Sequence, residues 1–228
     1  MRSMFFMKLI TIVSIAVAVG CGVVSSSKTA DLSAVPPMPA SQNETEVTKG
    51  KQTAVFAGGC FWGVEAVFES LKGVSDAKSG YAGGTSKTAN YDDVSNGNTQ
   101  HAEAVLVTYE PEKISYAQLL KVFFTVAHDP TELNRQGPDI GPQYRSAIFY
   151  SNEDQQKQAA AFIAELDKSQ AWPKAIVTQV VPLEKFYVAE AYHQNYLVRN
   201  PTQPYIVMHD MPKLEELKKR FPELYSGK

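Results

Sequence analysis

One cysteine of this 228-residue chain stands where a thiol could do chemistry. Cys60 lies in Gly58-Gly59-Cys60-Phe61-Trp62-Gly63, directly after the apolar run Ala54-Val55-Phe56-Ala57. The run predicts a short buried strand over residues 53–57, and the glycine pair a tight turn. Val64, Val67, Phe68 and Leu71 recur at helical spacing, so a helix is expected to open at Cys60 and close at Gly73. A helix N-terminus leaves N–H groups unpaired and favours an anion. The expected result is a thiol pKa well below the free value of about 8.5, and so a reactive thiolate. The alternative is an inert cysteine used as a small apolar filler. Phe61 and Trp62 are expected in the first turn, off the core-facing stripe. There they form an apolar slot beside the nucleophile or simply pack under a loop.

Other chemistry is narrower. His101, His128, His193 and His209 pair with no cysteine, histidine or carboxylate at a metal-ligand spacing, so no structural zinc is expected. The net charge is −2, which gives no basic excess for phosphates and argues against nucleic acid. The 44% hydrophobic content suits one folded domain with its own core.

Further elements must position Cys60. Strands are expected over residues 74–81, 104–109, 144–150 and 176–181, the last ended by Pro182. Ser115 caps a helix carrying Leu119, Leu120, Phe123 and Phe124, and Asn152 caps a long helix carrying Ala159, Phe162, Ile163 and Leu166. Residues 128–142 read as a loop broken by Pro130, Gly137, Pro138, Gly141 and Pro142. Short helices are expected over 189–197 and 213–221. Strands and helices alternate unevenly, which favours an α+β domain over residues 52–228, with a mixed β-sheet covered by helices.

Gly59-Cys60-Phe61-Trp62-Gly63 resembles the active-site signature of peptide methionine sulfoxide reductases of the A type. The resemblance runs on through Tyr91, His101-Ala102-Glu103-Ala104-Val105, His128-Asp129-Pro130-Thr131, Asn134-Arg135-Gln136-Gly137 and Asp139-Ile140-Gly141. It continues through Gln143-Tyr144-Arg145-Ser146 and Tyr192-His193-Gln194-Asn195-Tyr196-Leu197, and so covers most of the domain. It implies a ferredoxin-like two-layer sandwich and reduction of the S epimer of methionine sulfoxide, free or in proteins, without a metal or other cofactor. By that resemblance Cys60 attacks the sulfoxide sulfur and becomes a sulfenic acid. Phe61 and Trp62 hold the S-methyl group, with Tyr196 a weaker candidate for the same pocket. Glu103 supplies a proton, kept on by partial burial at the mouth of a strand. Tyr91 and Tyr144 donate hydrogen bonds to the sulfoxide oxygen, and Asp139 orients these groups. His193 is expected to support structure.

Two departures from the family pattern are minor: Gln100 replaces a common glycine and Pro142 a common threonine. The third concerns mechanism. No cysteine follows Cys60, whereas many relatives carry one that attacks the sulfenic acid. An outside thiol, thioredoxin-like or glutaredoxin-like, is therefore expected to recycle Cys60 through a mixed disulfide.

The first fifty residues read differently. Arg2 and Lys8 precede an apolar run over residues 9–19, too short for a membrane span of about 20 residues but suited to a signal peptide over residues 1–20. Ala18-Val19-Gly20-Cys21 resembles a bacterial lipobox, with Ala18 where leucine is preferred, so Cys21 is expected to be lipidated. Residues 21–51 are rich in Ser, Thr, Ala and Pro, and are expected to form a flexible linker. The chain is then an exported, membrane-anchored lipoprotein facing the periplasm or the cell exterior, and a monomer by default. Three other readings compete: a one-cysteine thiol peroxidase, a cysteine hydrolase with a histidine partner, and a surface lipoprotein that binds Met-rich partners without turnover.

Overall fold

The computed structural model describes residues 30–36 and 50–227. The expected signal peptide, Cys21 and residues 22–29 and 37–49 of the expected linker lie outside the described residues. The elements run β1 (Gln52–Gly58), α1 (Phe61–Glu69), β2 (Val74–Ala82), α2 (Tyr91–Ser95), β3 (Ala102–Tyr109) and α3 (Tyr116–Val122). There follow β4 (Arg135–Gln136), β5 (Asp139–Ile140), β6 (Ser146–Tyr150), α4 (Glu153–Ser169), β7 (Gln179–Pro182), β8 (Phe186–Val188), α5 (Tyr196–Arg199) and α6 (Met211–Arg220). A six-stranded sheet has the order β7-β6-β1-β3-β2-β8. Its neighbours are antiparallel except β6 and β7, so the domain is α+β with a mixed sheet, as expected.

Period-two alternation sorts the strand residues between two cores. Ala54 and Phe56 of β1 and Val105 and Val107 of β3 face the helical layer. Val55, Ala57, Ala102 and Ala104 face the other side, under Leu183 and Phe186. Both faces are covered, which is why β1 is a continuous apolar run. Phe56, wholly buried, stacks on Phe68 of α1 at 4.9 Å and tilts against Phe123 at 5.0 Å. Losing a ring so placed costs about 3–5 kcal/mol. Ser115 and Gln118 form a reciprocal capping box on α3, and Asn152 caps α4 by accepting from the Gln155 N–H at 2.9 Å.

Several expectations need correction. The 189–197 segment is mostly turns, and only Tyr196–Arg199 is helical, because Asn195 sits at φ +53° and interrupts the helix. Helix α1 stops at Glu69, and Gly73 at φ +89° turns the chain into β2 instead. The 128–142 loop contains the small β4–β5 hairpin. Residues 30–36 are not a free tether: Asp31 N–H donates to the Ala171 carbonyl at 2.7 Å. Leu32, Ala34 and Val35 pack on the core. Three apolar side chains and a local Asp31 cap are enough to seat this short turn. Among the described residues, no helix is long and apolar enough to cross a membrane.

His128 ends the turn after α3 and locks it to the sheet. Its Nδ1 lies 3.0 Å from the Phe123 carbonyl, which can only accept, so Nδ1 carries the proton. Nε2 must then accept from Ser146 Oγ at 2.7 Å, and Ser146 accepts in turn from Thr178. Burial, the main cause, pushes the imidazole pKa down to about 4. The folded value lies below the unfolded one, so this stability is complete above the ordinary imidazole range and is lost as pH falls toward 4. The total loss is about 3 kcal/mol. Urea titrations across that range should show a flatter pH dependence for His128→Asn than for the parent; equal slopes would remove His128 as the cause.

Candidate active site

The nucleophile is placed by the sheet's central strand. β1 ends at Gly58, Gly59 turns at φ +90°, and Cys60 is the N-cap of α1. Each glycine of the motif answers a steric demand. A Cβ on Gly58 would meet His128 at 3.0 Å, one on Gly59 the Gln136 side chain at 2.5 Å, and one on Gly63 the Asp210 carboxylate at 2.1 Å.

The expected activated thiolate is not what the resting site holds. Cys60 is buried, and burial is the largest influence raising its pKa well above the usual thiol value, followed by Glu103 when that group is ionised and by Asp210. The Trp62 N–H and the Lys213 ammonium act in the opposite direction and are weaker. The helix terminus therefore loses to desolvation.

Glu103 explains part of that outcome. It sits in β3 and points to the helical layer, on the same face as Val105 and Val107. Its Oε2 accepts from the Phe61 N–H at 3.0 Å, satisfying a donor that the start of α1 would otherwise leave unpaired. Burial raises its pKa to about 8; the Phe61 N–H opposes this, and Asp139 and Asp210 add to it. Glu103 is thus a protonated acid at neutral pH. With Oε2 engaged as an acceptor, Oε1 is left to carry the proton.

Cys60 and Glu103 share a cavity of about 270 Å³ with Phe61, Trp62, Tyr91 and Tyr144. Asp139, Gln203 and Tyr205 complete its lining. Tyr91 opens α2, and Tyr144 ends a single 3-10 turn, Pro142–Tyr144. Burial, then Glu103, hold both phenols above their ordinary pKa, so both remain hydrogen-bond donors. Asp139 accepts a hydrogen bond from the Tyr205 hydroxyl. A larger cavity of about 390 Å³, beside Ala66 and Leu214, has no cysteine in its lining; chemistry rather than size selects the site.

Two expectations are corrected here. Phe61 does not stand off the core: it is only 1% exposed and belongs to the main core, so just one edge of it reaches the cavity. Tyr196 does not line the cavity. It stacks on the far side of Trp62, with ring centroids 3.8 Å apart. Tyr205 and Gln203 were missed, because they lie in a proline-punctuated segment with no periodicity to flag them. So was Asp210, wholly buried beside Gly63 and paired with Lys213 at 3.2 Å. Among the described residues, no group of three or more His, Cys, Asp or Glu side chains could hold a metal ion.

A buried thiol and a buried carboxylic acid in one aromatic-walled cavity suit cysteine-dependent redox chemistry. His101, His128 and His193 direct ring nitrogens to Thr85, to Phe123 and Ser146, and to Trp62 rather than to Cys60, and the His209 ring packs on Tyr205 with centroids 4.8 Å apart. Comparison with known proteins identifies the class further. The family model described as peptide methionine sulfoxide reductase matches residues 52–225. The chain is 53% identical over 185 residues to peptide methionine sulfoxide reductase MsrA 2 of Mesorhizobium japonicum, covering 81% of this chain and 95% of that protein. It is 51% identical over 175 residues to MsrA 2 of Synechocystis, covering 77% of this chain and 82% of the relative. Among solved structures, reduced Mxr1 of Saccharomyces cerevisiae superposes with a TM-score of 0.63 at 35% identity, over 70% of this chain and 92% of that one. Methionine sulfoxide reductase A of Corynebacterium diphtheriae gives 0.60 at 32% identity, over 68% and 78%. The chain belongs to the peptide methionine sulfoxide reductase family, and is an oxidoreductase that reduces methionine sulfoxide.

Glu103→Gln should keep the Phe61 bond and the fold yet slow single-turnover reduction roughly 10²- to 10⁴-fold, the usual worth of a positioned acid. Difference infrared spectra of the parent should lose a protonated-carboxyl band as pH rises through about 8, and the variant should lack that band. A near-normal rate in Glu103→Gln would remove Glu103 from the chemistry.

Proposed function

We propose that Cys60 takes the oxygen of methionine S-sulfoxide, free or in oxidised proteins, and is then restored by an outside thiol. The observation that carries this reading is the convergence of Cys60, Glu103, Tyr91 and Tyr144 on one cavity. The S-methyl group rests between Phe61 and Trp62. The sulfoxide oxygen accepts from Tyr91 and Tyr144, whose bonds strengthen as charge grows on it. Asp139, tied to Tyr205, holds the opposite wall. Cys60 sulfur attacks the substrate sulfur and an S–S bond forms, while Glu103 protonates the oxygen and the thiol proton returns Glu103 to its acid form. The hydroxyl then passes to the Cys60 sulfur as the S–S bond and the substrate S–O bond break. Methionine leaves and Cys60 is a sulfenic acid; the substrate has gained the two electrons that Cys60 lost.

Recycling follows from composition. Residues 61–228 contain no cysteine. An external thiol, thioredoxin-like or glutaredoxin-like, attacks the sulfenic acid and releases water; a second thiol frees Cys60 from the mixed disulfide. A peroxide has no methyl group to occupy the Phe61–Trp62 wall, which weighs against the peroxidase reading. The central order β6-β1-β3-β2, with α1 linking β1 to β2 and α3 between β3 and β6, supports a ferredoxin-like centre for the sandwich. The lipobox-like Ala18-Val19-Gly20-Cys21 supports an exported, lipid-anchored protein facing the periplasm or exterior.

Single turnover of the chain from Ala30 onward, with resolved epimers, should yield about one methionine per enzyme from the S epimer alone. Mass spectrometry should then find a trapped sulfenic acid on Cys60, and Cys60→Ser should yield nothing. Equal turnover of the R epimer would overturn the stereochemical assignment. Anchoring is checked separately: the full chain expressed in a bacterium should incorporate labelled palmitate and sediment with membranes, and Cys21→Ser should do neither. A soluble, unlabelled parent chain would sink the lipoprotein reading.

A further inference from the structure

We infer that His193 and Glu190 form a positioning pair that holds Trp62 and Tyr91 in their working geometry, and that a proton gained by His193 releases Trp62. The inference rests on the reading of Phe61 and Trp62 as the methyl-binding wall, and extends it to the groups behind that wall.

The hydrogen-bond directions assign the tautomer. The Trp62 indole N–H can only donate, and it lies 3.1 Å from His193 Nδ1. Nδ1 must therefore present a lone pair, and the ring proton sits on Nε2. That Nε2 has no hydrogen-bond partner among the described residues and faces Glu190 Oε2 at 3.9 Å. His193 is 2% exposed, so solvent does not supply an easy substitute. Glu190 is itself fixed by the site. Its Oε2 accepts from the Tyr81 hydroxyl at 2.8 Å, and its Oε1 accepts from the Tyr91 N–H at 2.9 Å. One carboxylate thus ties β2, the first residue of α2 and the His193 ring together.

The ring is wedged among aromatics. Its centroid lies 4.9 Å from that of Phe61, 4.5 Å from Tyr91 and 4.2 Å from Tyr192. Trp62 is held between this imidazole and Tyr196, and Tyr205 meets its edge at 6.0 Å. Of the groups facing His193, only Glu190 carries a charge at neutral pH. Those from α1 are a phenyl and an indole, the one from α2 is the phenol of Tyr91, and Tyr192 on the same segment is a phenol too. Protonation at Nδ1 would set two N–H donors against each other at 3.1 Å. The bond to Trp62 then breaks. Burial favours the neutral ring and Glu190 opposes it, so the transition falls below the ordinary imidazole range.

The pair makes predictions that a purely structural histidine does not. The chain has two tryptophans, so Trp172→Phe leaves Trp62 as the reporter. In that background, Trp62 emission should titrate as pH falls below the ordinary imidazole range. His193→Asn keeps an acceptor near Nδ1 and cannot be protonated there, so its emission should stay flat. Glu190→Gln removes the opposing charge and should move the transition to lower pH. In His193→Phe, which lacks the acceptor, KM for methionine sulfoxide should rise roughly tenfold and kcat should change less, because a ground-state positioning contact is lost. His193→Asn should restore KM at neutral pH. A flat parent titration, or the same titration in His193→Asn, would overturn the pair. The methyl-wall reading has its own control: an unchanged KM in Trp62→Leu would sink that reading, while the fluorescence titration would still report on His193.

Discussion

The hydrogen bond from the Phe61 N–H to Glu103 Oε2, 3.0 Å long and buried, is the contact on which the site depends. It joins the strand that carries the acid to the first turn of the helix that carries the nucleophile. A helix start buried against a sheet must satisfy its free N–H groups, and Cys60 makes no side-chain cap of its own. Glu103 meets that need from β3, which pairs with β1 along the sheet. The same bond fixes one carboxyl oxygen, and so decides which oxygen is free to hold a proton. Fold stability and catalytic geometry here are one interaction seen from two sides.

The cavity is also an electrostatic compromise. A thiolate and a carboxylate side by side in a dry space would repel and would both lose hydration. The structure avoids this by burying both groups and keeping both protonated at rest, with Glu103 at about 8 and Cys60 well above the usual thiol value. In the proposed reaction the two protons come from Cys60 and Glu103, and charge grows on the oxygen where Tyr91 and Tyr144 line the same cavity. Lys213, held by Asp210 beside Gly63, carries a positive charge that favours the Cys60 thiolate.

The groups packed behind Trp62 and Tyr91 come from a segment with little secondary structure, and side chains hold it in place. Glu65, buried in α1, accepts from the Asn195 N–H at 3.0 Å and from Ser79 Oγ at 2.9 Å. Gln194 accepts from the Ser79 N–H and donates to the Ser79 carbonyl, at 3.1 and 2.9 Å, as a strand neighbour would. These bonds let turns, rather than a regular helix, carry Glu190 to Tyr91 and His193 and Tyr196 to Trp62. Each is polar and buried or half-buried, so each is costly to break.

By itself, the sequence determined the parts whose signal is local. The strand–Gly-Gly–Cys–helix unit, the Ser115 and Asn152 caps and the mixed α+β layering follow from period, capping chemistry and glycine placement within short windows. The lack of a cysteine after Cys60 follows from composition alone. The motif matches named Cys60, Glu103, Tyr91, Tyr144 and Asp139, which tertiary structure brings to one cavity. What only the tertiary structure decided is what depends on partners distant in sequence. Burial raised the Cys60 thiol against the pull of its helix terminus. The Phe61 ring went into the core, and Tyr196 went behind Trp62 rather than into the pocket. Asn195 at positive φ cut short a helix that spacing favoured, and Leu32 with its neighbours docked a stretch whose composition promised none. Desolvation and long-range contact are sums over the whole fold, and no short window of residues contains them.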